Sequence, residues 1–210
     1  MTVLLHCFGE SGNAYKAALA MELTGIDWEP VFVDFFQGAT RSAEFRRINP
    51  LGEIPVAETP DGVISQSGII LDWVAETSRQ LGWETPEERR EILRWVLFDN
   101  HKVSGVAGPL RFNMNFLPPD KRQDQVNAFM AMRLGSALKV METRLAERPW
   151  LALDRPTIAD ISCCGYLYYD EPFGFARPEY PAIDAWLDRI STLDGWKHPY
   201  ELMPRGLPEG

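Results

Sequence analysis

The sequence predicts two domains of different class: a mixed α/β domain over residues 1–80 and an all-helical domain over residues 86–210. Two observations support this division. Short apolar, strand-like runs alternate with helical patterns in the first part, whereas strand patterns nearly vanish in the second. The segment 81–88 (LGWETPEE) between them is typical of a linker that leads into a helix, because Thr85 is a suitable cap and a proline follows it.

The first domain is expected to have the element order β-α-β-α-β-β-α. The predicted strands cover 3–8, 30–35, 54–58 and 62–65, and the predicted helices cover 13–24, 41–48 and 67–80. Pro60-Asp61-Gly62 is a strong turn signal, so the last two strands should form a hairpin. Strands that alternate with helices and then form a hairpin indicate a mixed sheet, and this order is typical of a thioredoxin-like fold.

The second domain is predicted to consist of helices separated by Pro and Gly. These helices cover 86–104, 119–147, 157–170 and 181–192. Thr157 and Asp160 predict a capping box, in which Thr caps the helix and the acid three residues later bonds back to the Thr backbone. This pattern indicates a well-defined helix start and identifies no catalyst.

The composition excludes several classes of function. The net charge of -9 argues against nucleic acid and anionic membranes as main partners. The N-terminal segment lacks the features of a signal peptide, and no run of about 18 apolar residues predicts a membrane span. Three cysteines, Cys7, Cys163 and Cys164, form no CxxC motif and favour a reducing, cytoplasmic location. The three histidines are far apart in sequence and suggest no metal site.

A turn motif and a helix start predict a binding site for a small anion. The segment 49–55 (NPLGEIP) indicates a turn into a strand, with Pro55 at the first strand position. If the Ile54–Pro55 bond is cis, the backbone N–H and C=O of Ile54 should face outward instead of pairing in the sheet. Ser67 opens an apolar helical run and is a natural N-cap. Backbone polar groups beside a helix N-terminus bind small peptide-like anions.

The turn before the first helix contains the candidate catalytic residues. Ser11 lies in the segment 11–16 (SGNAYK), where it is either a plain helix cap or a functional hydroxyl. A hydroxyl at a helix N-terminus is able to donate a hydrogen bond to a thiolate, and the helix dipole adds to the effect. Cys7 lies inside the predicted strand instead, where a buried thiol is inert.

Four motifs carry a resemblance to a known family: SGNAYK (11–16), NPLGEIP (49–55), QSGIIL (66–71) and PTIAD (156–160). Together they resemble the cytosolic glutathione S-transferase superfamily, most closely its bacterial serine-type (theta- or nu-like) members. The resemblance implies a glutathione transferase fold, with a glutathione-binding domain over 1–80 and an electrophile pocket contributed by 86–210. It also implies a homodimer.

The resemblance assigns roles along the glutathione molecule. It implies that Ser11 orients and stabilises the thiolate, that Asn13 helps to hold the sulfur, and that the Ile54 backbone beside Pro55 meets the cysteinyl unit. Gln66 and Ser67 are expected to hold the γ-glutamyl end. The family usually has an acid where Gln66 stands, so affinity could be weaker, or an acid could come from the partner subunit.

The remaining candidates follow from charge and position. Lys16 and Arg41 are expected to supply local positive charge, and Arg41 is the residue type that pairs with a glycine carboxylate. Phe98, His101 and Arg111 are candidates for the electrophile pocket by position, although Phe98 with Trp95 also fits core packing. No metal is expected.

The implied reaction is attack of the glutathione thiolate on a small hydrophobic electrophile. One alternative is a glutathione-dependent disulfide reductase or peroxidase, which the Ser-x-Asn-x-x-Lys spacing of residues 11–16 favours. The other is a non-catalytic binding module on the same fold, which Gln66 favours and Ser11 disfavours. Fold alone does not choose among them.

Overall fold

The computed structural model describes residues 2–207, which divide into two compact units. Residues 2–82 and 193–207 form the first unit, and residues 83–192 form the second. The second predicted domain extended to residue 210, whereas residues 193–207 belong to the first unit. The fold class is confirmed: a mixed sheet with helices in the first unit, and helices in the second.

The first unit is built on a four-stranded sheet in the order β2-β1-β3-β4. The strands are β1 (Val3–Cys7), β2 (Trp28–Phe32), β3 (Val56–Thr59) and β4 (Gly62–Ser65). β1 and β2 are parallel, and the other two pairs are antiparallel. The largely buried β1 is central, which fits its apolar sequence. β2 ends three residues earlier than predicted, because the chain already turns at residues 33–35, where the backbone N–H of Phe35 donates to the carbonyl of Val33 at 2.8 Å.

The predicted helices of the first unit are present with shifted ends. They are α1 (Gly12–Thr24), α2 (Phe45–Ile48) and α3 (Ser67–Ser78), with a 3-10 turn at Ala39–Arg41. α1 ends at Gly25, which has a φ of 68° and satisfies carbonyls of the last turn. α1 is rich in small buried residues and packs against α3.

The strand register brings three chain segments to one edge of the sheet. Val56 pairs with His6 on one side and with Ser65 on the other. Because β1 and β4 both end where β3 begins, the segments 8–11, 53–55 and 66–67 lie at the same edge. Each of these segments carries residues that the sequence predicted for the site.

The second unit contains five α-helices in the part of the chain that the structure describes: α4 (Pro86–Phe98), α5 (Ser104–Arg111), α6 (Asp124–Glu147), α7 (Ile158–Cys164) and α8 (Pro181–Ser191). The predicted helix 86–104 is interrupted by a π-helical turn at Asp99–Val103, and a second π-helical turn spans Phe112–Phe116. The buried carboxylate of Asp99 accepts hydrogen bonds from the hydroxyls of Ser104 and Ser162. The helix predicted over 119–147 begins only at Asp124, as α6. The helix predicted over 157–170 ends already at Cys164, as α7.

The predicted capping box at the start of α7 is confirmed. Thr157 caps the helix, and its backbone N–H donates to Asp160 Oδ2 at 3.0 Å. The other carboxylate oxygen of Asp160 accepts from the backbone N–H of Leu151 and the indole N–H of Trp186. This fully buried carboxylate therefore joins three segments of the second unit. Over residues 2–207, no helix is long and apolar enough to cross a membrane.

The C-terminal segment of the first unit lies along the turn that follows β1. It contains α9 (Pro199–Leu202). The backbone N–H of Gly9 donates to the carbonyl of Pro204 at 2.7 Å. A Cβ at Gly9 would come within 3.3 Å of the Arg205 Cα, so glycine permits this close approach. Tyr15 of α1 donates to the carbonyl of Lys197 at 2.9 Å.

Candidate active site

Ser11 occupies the N-cap of α1, as the plain-cap interpretation predicts. Its backbone is extended, and its Oγ accepts a hydrogen bond from the backbone N–H of Ala14 at 3.2 Å. That bond uses an oxygen lone pair and not the hydroxyl proton. The cap position therefore keeps a hydroxyl donor at the positive end of a 13-residue helix.

Asn13 connects the start of α1 with the start of α3. Its Oδ1 accepts a hydrogen bond from Lys16 Nζ at 2.8 Å and another from Ser67 Oγ at 3.4 Å. Lysine is only a donor, so the amide oxygen must face Lys16 and the amide NH2 must face away from it. Three predicted site residues, Asn13, Lys16 and Ser67, are thus brought into one hydrogen-bonded group.

The Ile54–Pro55 peptide bond is cis, as the sequence suggested. β3 begins at Val56, so Ile54 lies outside the strand. The preceding loop is held by Asn49, which is 2% exposed. Asn49 Nδ2 donates to the backbone oxygen of Glu53 at 2.7 Å, and its Oδ1 accepts from the backbone N–H of Leu51. A buried side chain therefore fixes the backbone that leads into the cis bond.

Gln66, and not Ser67, is the N-cap residue of α3, which corrects the predicted cap. The carbonyl of Gln66 accepts from the backbone N–H of Ile70 at 3.0 Å, and this first intrahelical bond defines the cap position. Ser67 is the first residue inside the helix. Gln66 has a φ of 71°, which is uncommon for a residue other than glycine. Its Nε2 donates to Glu53 Oε2 at 3.0 Å.

The arginines of the first unit differ in their placement. Arg41 is exposed, and its guanidinium folds back over Gly38. Arg46 lies instead against Gly52, where its Nη2 would be 3.5 Å from an added Cβ. The arginine beside the 49–55 loop is therefore Arg46, and a glycine-carboxylate role for Arg41 stays a prediction.

Cys7 does not have the properties of a nucleophile. Its side chain is fully buried in β1, and burial raises the pKa of the thiol to about 12. A thiol is reactive as the thiolate, which this environment disfavours.

The three pocket candidates of the second unit have different environments. Phe98 packs edge-to-face on Trp95, with ring centroids 5.3 Å apart. His101 is exposed on the first π-helical turn. Arg111 is 1% exposed, and its Nη2 donates to Glu171 Oε2 at 2.8 Å. The Arg111 side chain is thus part of the core of the second unit, and an electrophile-pocket role for the three residues stays a prediction.

Sequence reasoning missed two acidic residues near the predicted site. One is Glu53, whose contact with Gln66 joins residues 13 positions apart. The other is Glu10, which is 4% exposed and accepts hydrogen bonds from the backbone N–H groups of Gly206 and Leu207. Neither contact has a local sequence signal, because both depend on tertiary pairing. Within residues 2–207, no group of three or more His, Cys, Asp or Glu side chains could hold a metal ion.

Comparison with known proteins defines the class. The model of the glutathione S-transferase N-terminal domain matches residues 1–76, and that of the C-terminal domain matches residues 114–194. The structure resembles a glutathione S-transferase from Xanthobacter autotrophicus Py2, with a TM-score of 0.86 and 31% identity over 97% of both chains. The chain belongs to the glutathione S-transferase family.

Two further relatives bear on function. The structure also resembles a glutathione transferase from Burkholderia graminis, with a TM-score of 0.82 and 25% sequence identity. The match covers 92% of this chain and 85% of the Burkholderia chain, whose structure holds two glutathione molecules per subunit. Elongation factor 1-gamma 3 of Oryza sativa subsp. japonica is 32% identical over 197 residues, which is 89% of this chain. The chain spans 45% of the length of that elongation factor.

Proposed function

We propose that the protein is a glutathione transferase that promotes attack of the glutathione thiolate on a small hydrophobic electrophile. The observation that carries this proposal is that the Ser11 cap, the Asn13–Ser67 hydrogen bond and the Ile54–Pro55 segment lie at the same edge of the sheet. The edge combines a hydroxyl donor, an amide and two helix N-termini. Such an arrangement suits a peptide-like anion with a thiolate.

In this proposal, each end of glutathione has its own partner. The Ser11 hydroxyl donates to the thiolate, and the Asn13 NH2 is a second donor. The Ile54 backbone beside Pro55 meets the cysteinyl unit, and Ser67 at the start of α3 receives the γ-glutamyl carboxylate. Lys16 adds positive charge beneath the site, and Arg41 is the proposed contact for the glycine carboxylate. Glutathione is the cosubstrate, and the chemistry uses no metal.

A serine at the turn supports assignment to the bacterial serine-type subclass. The side chain there is a hydroxyl and not a thiol, since Cys7 lies four residues earlier inside β1. We also propose a cytoplasmic homodimer. Sedimentation of the purified protein would test the dimer directly, and a monomer at micromolar concentration would contradict it.

The test combines calorimetry with ultraviolet spectroscopy. The wild type should bind reduced glutathione with micromolar to low-millimolar affinity, and the bound thiol should show thiolate absorbance. Ser11→Ala should still bind glutathione but lose most of that absorbance. If the absorbance survives in Ser11→Ala and disappears in Asn13→Ala, the catalytic role passes to Asn13.

Thr85→Ala is the matched control for Ser11→Ala. Thr85 caps α4 and accepts from the backbone N–H of Glu88 at 3.2 Å, the same length as the Ser11 bond. Loss of either cap should lower stability by about 1 kcal/mol. Only Ser11→Ala should change the ionisation of glutathione.

Two other functions have specific support. Similarity to elongation factor 1-gamma and the neutral Gln66 favour a non-catalytic binding module. No binding of glutathione by the wild type would support that function over the enzyme. The Ser-x-Asn-x-x-Lys spacing of residues 11–16, in which Lys16 donates to Asn13, favours a disulfide reductase or peroxidase. Turnover of a small disulfide with little activity toward an aryl halide would support that reaction.

A further inference from the structure

We propose that Glu53 supplies the carboxylate that binds the α-ammonium of the γ-glutamyl group, with Gln66 positioning it. The inference rests on the proposed glutathione site and names a specificity-determining residue for it. It also accounts for the neutral residue at position 66 without an acid from a partner subunit.

The contact between the two side chains is the first observation. Gln66 Nε2 donates to Glu53 Oε2 at 3.0 Å, and both residues are exposed. Because the amide nitrogen of Gln66 faces the carboxylate, its Oε1 faces away from it. The pair therefore offers carboxylate oxygens and one amide oxygen as acceptors, which an ammonium group with three donors can use together.

The backbone on both sides of this contact is fixed. Asn49 is buried and holds the Glu53 carbonyl at 2.7 Å. The Gln66 carbonyl accepts from the backbone N–H groups of Ile69 and Ile70 in the first turn of α3, at 3.0 Å each. Gln66 is held at a φ of 71°. Uncommon backbone conformations persist only where the surrounding structure maintains them, and they cluster at ligand sites.

The charge arrangement suits the zwitterionic end of glutathione. The first turn of α3 is Ser67-Gly68-Ile69, three uncharged residues at the positive end of a 12-residue helix. This end suits the γ-glutamyl α-carboxylate. The α-ammonium is bonded to the same carbon as that carboxylate, so its partner must lie beside the helix start. Glu53 lies there, because its side chain contacts the cap residue Gln66.

The first experiment measures glutathione affinity by calorimetry in three variants. Glu53→Gln removes the charge but keeps the side-chain size, and should weaken binding about five- to ten-fold, because charge-assisted hydrogen bonds are stronger than neutral ones. The double variant Glu53→Gln with Gln66→Glu returns a carboxylate from the opposite side and should recover most of the affinity. Glu29→Gln is the matched control, since Glu29 is exposed on β2, the outer strand on the opposite side of the sheet from β4.

The second experiment identifies the ligand group that Glu53 contacts. Glutaryl-cysteinylglycine is glutathione without the α-amino group. It should bind the wild type about five- to ten-fold more weakly than glutathione does, and Glu53→Gln should weaken it no further. Equal weakening of both ligands by Glu53→Gln, or unchanged glutathione binding in that variant, would overturn the inference and leave the transferase proposal intact. A wild type that does not bind glutathione would overturn both.

Discussion

The amide oxygen of Asn13 accepts a hydrogen bond from the buried ammonium of Lys16, one helical turn further along α1. The bond sets the orientation of the amide, so that the NH2 group faces away from Lys16. It also places a positive charge next to an amide dipole in a poorly solvated region, where electrostatic effects are strong. Lys16 is therefore a positioning residue, and the group that it positions is the Asn13 NH2.

Lys16→Met should raise the pKa of the glutathione thiol in the bound complex by about 0.5–1 unit, because the Asn13 amide loses both its orientation and its polarisation. The measurement is a pH titration of thiolate absorbance. The same substitution in an Asn13→Ala background should have little further effect, whereas Lys139→Met on the exposed face of α6 should have none. An unshifted titration in Lys16→Met would contradict the positioning role.

Gln66→Gly should raise stability and weaken glutathione binding at the same time. Glycine tolerates a φ of 71°, so the substitution should add about 1 kcal/mol to the free energy of unfolding. It also removes the side chain that contacts Glu53. Urea unfolding and calorimetry report the two effects separately.

Arg79→Gly is the control, because Arg79 has a φ of 59° at the end of α3. Because its ψ of 22° places it in the left-handed helical region, it should gain less stability than Gln66→Gly, with no change in glutathione affinity. If Gln66→Gly bound glutathione as tightly as the wild type, the side chain at position 66 would have no role in the site.

Acidification should weaken the attachment of the C-terminal segment to α1. Hydrogen bonding to Lys197 holds the pKa of the Glu22 carboxyl below its usual 4.5. A carboxyl with a lowered pKa in the folded state stabilises the protein above its unfolded pKa, and this contribution is lost as the pH falls through the folded value. The Lys197 side chain is 49% exposed and that of Glu22 is 24% exposed, so solvent screening should limit the loss to about 0.5 kcal/mol.

The measurement compares urea unfolding of the wild type and Glu22→Gln near neutral pH and below 4.5. The variant should be less stable than the wild type near neutrality, and the difference should shrink in acid. Glu29→Gln removes an exposed glutamate elsewhere on the first unit and should show no such pH-dependent difference. A constant difference for Glu22→Gln would exclude the ion pair as its cause.

Cys7 should be unreactive and dispensable for thiolate formation. With a pKa of about 12, its thiol should resist alkylation at about pH 8 in the folded protein. Cys163 and Cys164 are also buried, so alkylation in denaturant should reveal three thiols that the native protein hides. Cys7→Ala should leave the thiolate absorbance of bound glutathione unchanged. Loss of that absorbance would return Cys7 to the list of catalytic candidates.

Local patterns predicted the fold of the first unit well. Gly25 ends α1, Pro60-Asp61-Gly62 lies at the β3–β4 turn, and Pro55 follows a cis bond, because each residue acts on its own stretch of backbone. The prediction of a continuous helix over 86–104 was wrong. Its interruption at Asp99 accompanies a hydrogen bond that Asp99 accepts from the hydroxyl of Ser162, 63 residues away and outside any helical window.

The same difference between local patterns and long-range contacts applies to the candidate site. Ser11 was predicted as a cap because capping is local, whereas the contacts Asn13–Ser67 and Glu53–Gln66 depend on the strand register. Assignment of residues 193–207 to the first unit also escaped prediction. Their attachment combines the backbone bond between Gly9 and Pro204 with side-chain contacts such as that of Tyr15 with Lys197. Each of these contacts joins residues that are far apart in sequence, so no local pattern predicts it.

The return of the chain to its first unit at Leu193 has a consequence for synthesis on the ribosome. Until the codons for Pro204 and Leu207 have been translated, the amide of Gly9 and the carboxylate of Glu10 lack the partners that they have in the finished protein. These contacts therefore form only after residues 83–192 have been synthesised. An N-terminal fragment cut at residue 82 should for this reason be a poor substitute for the intact chain.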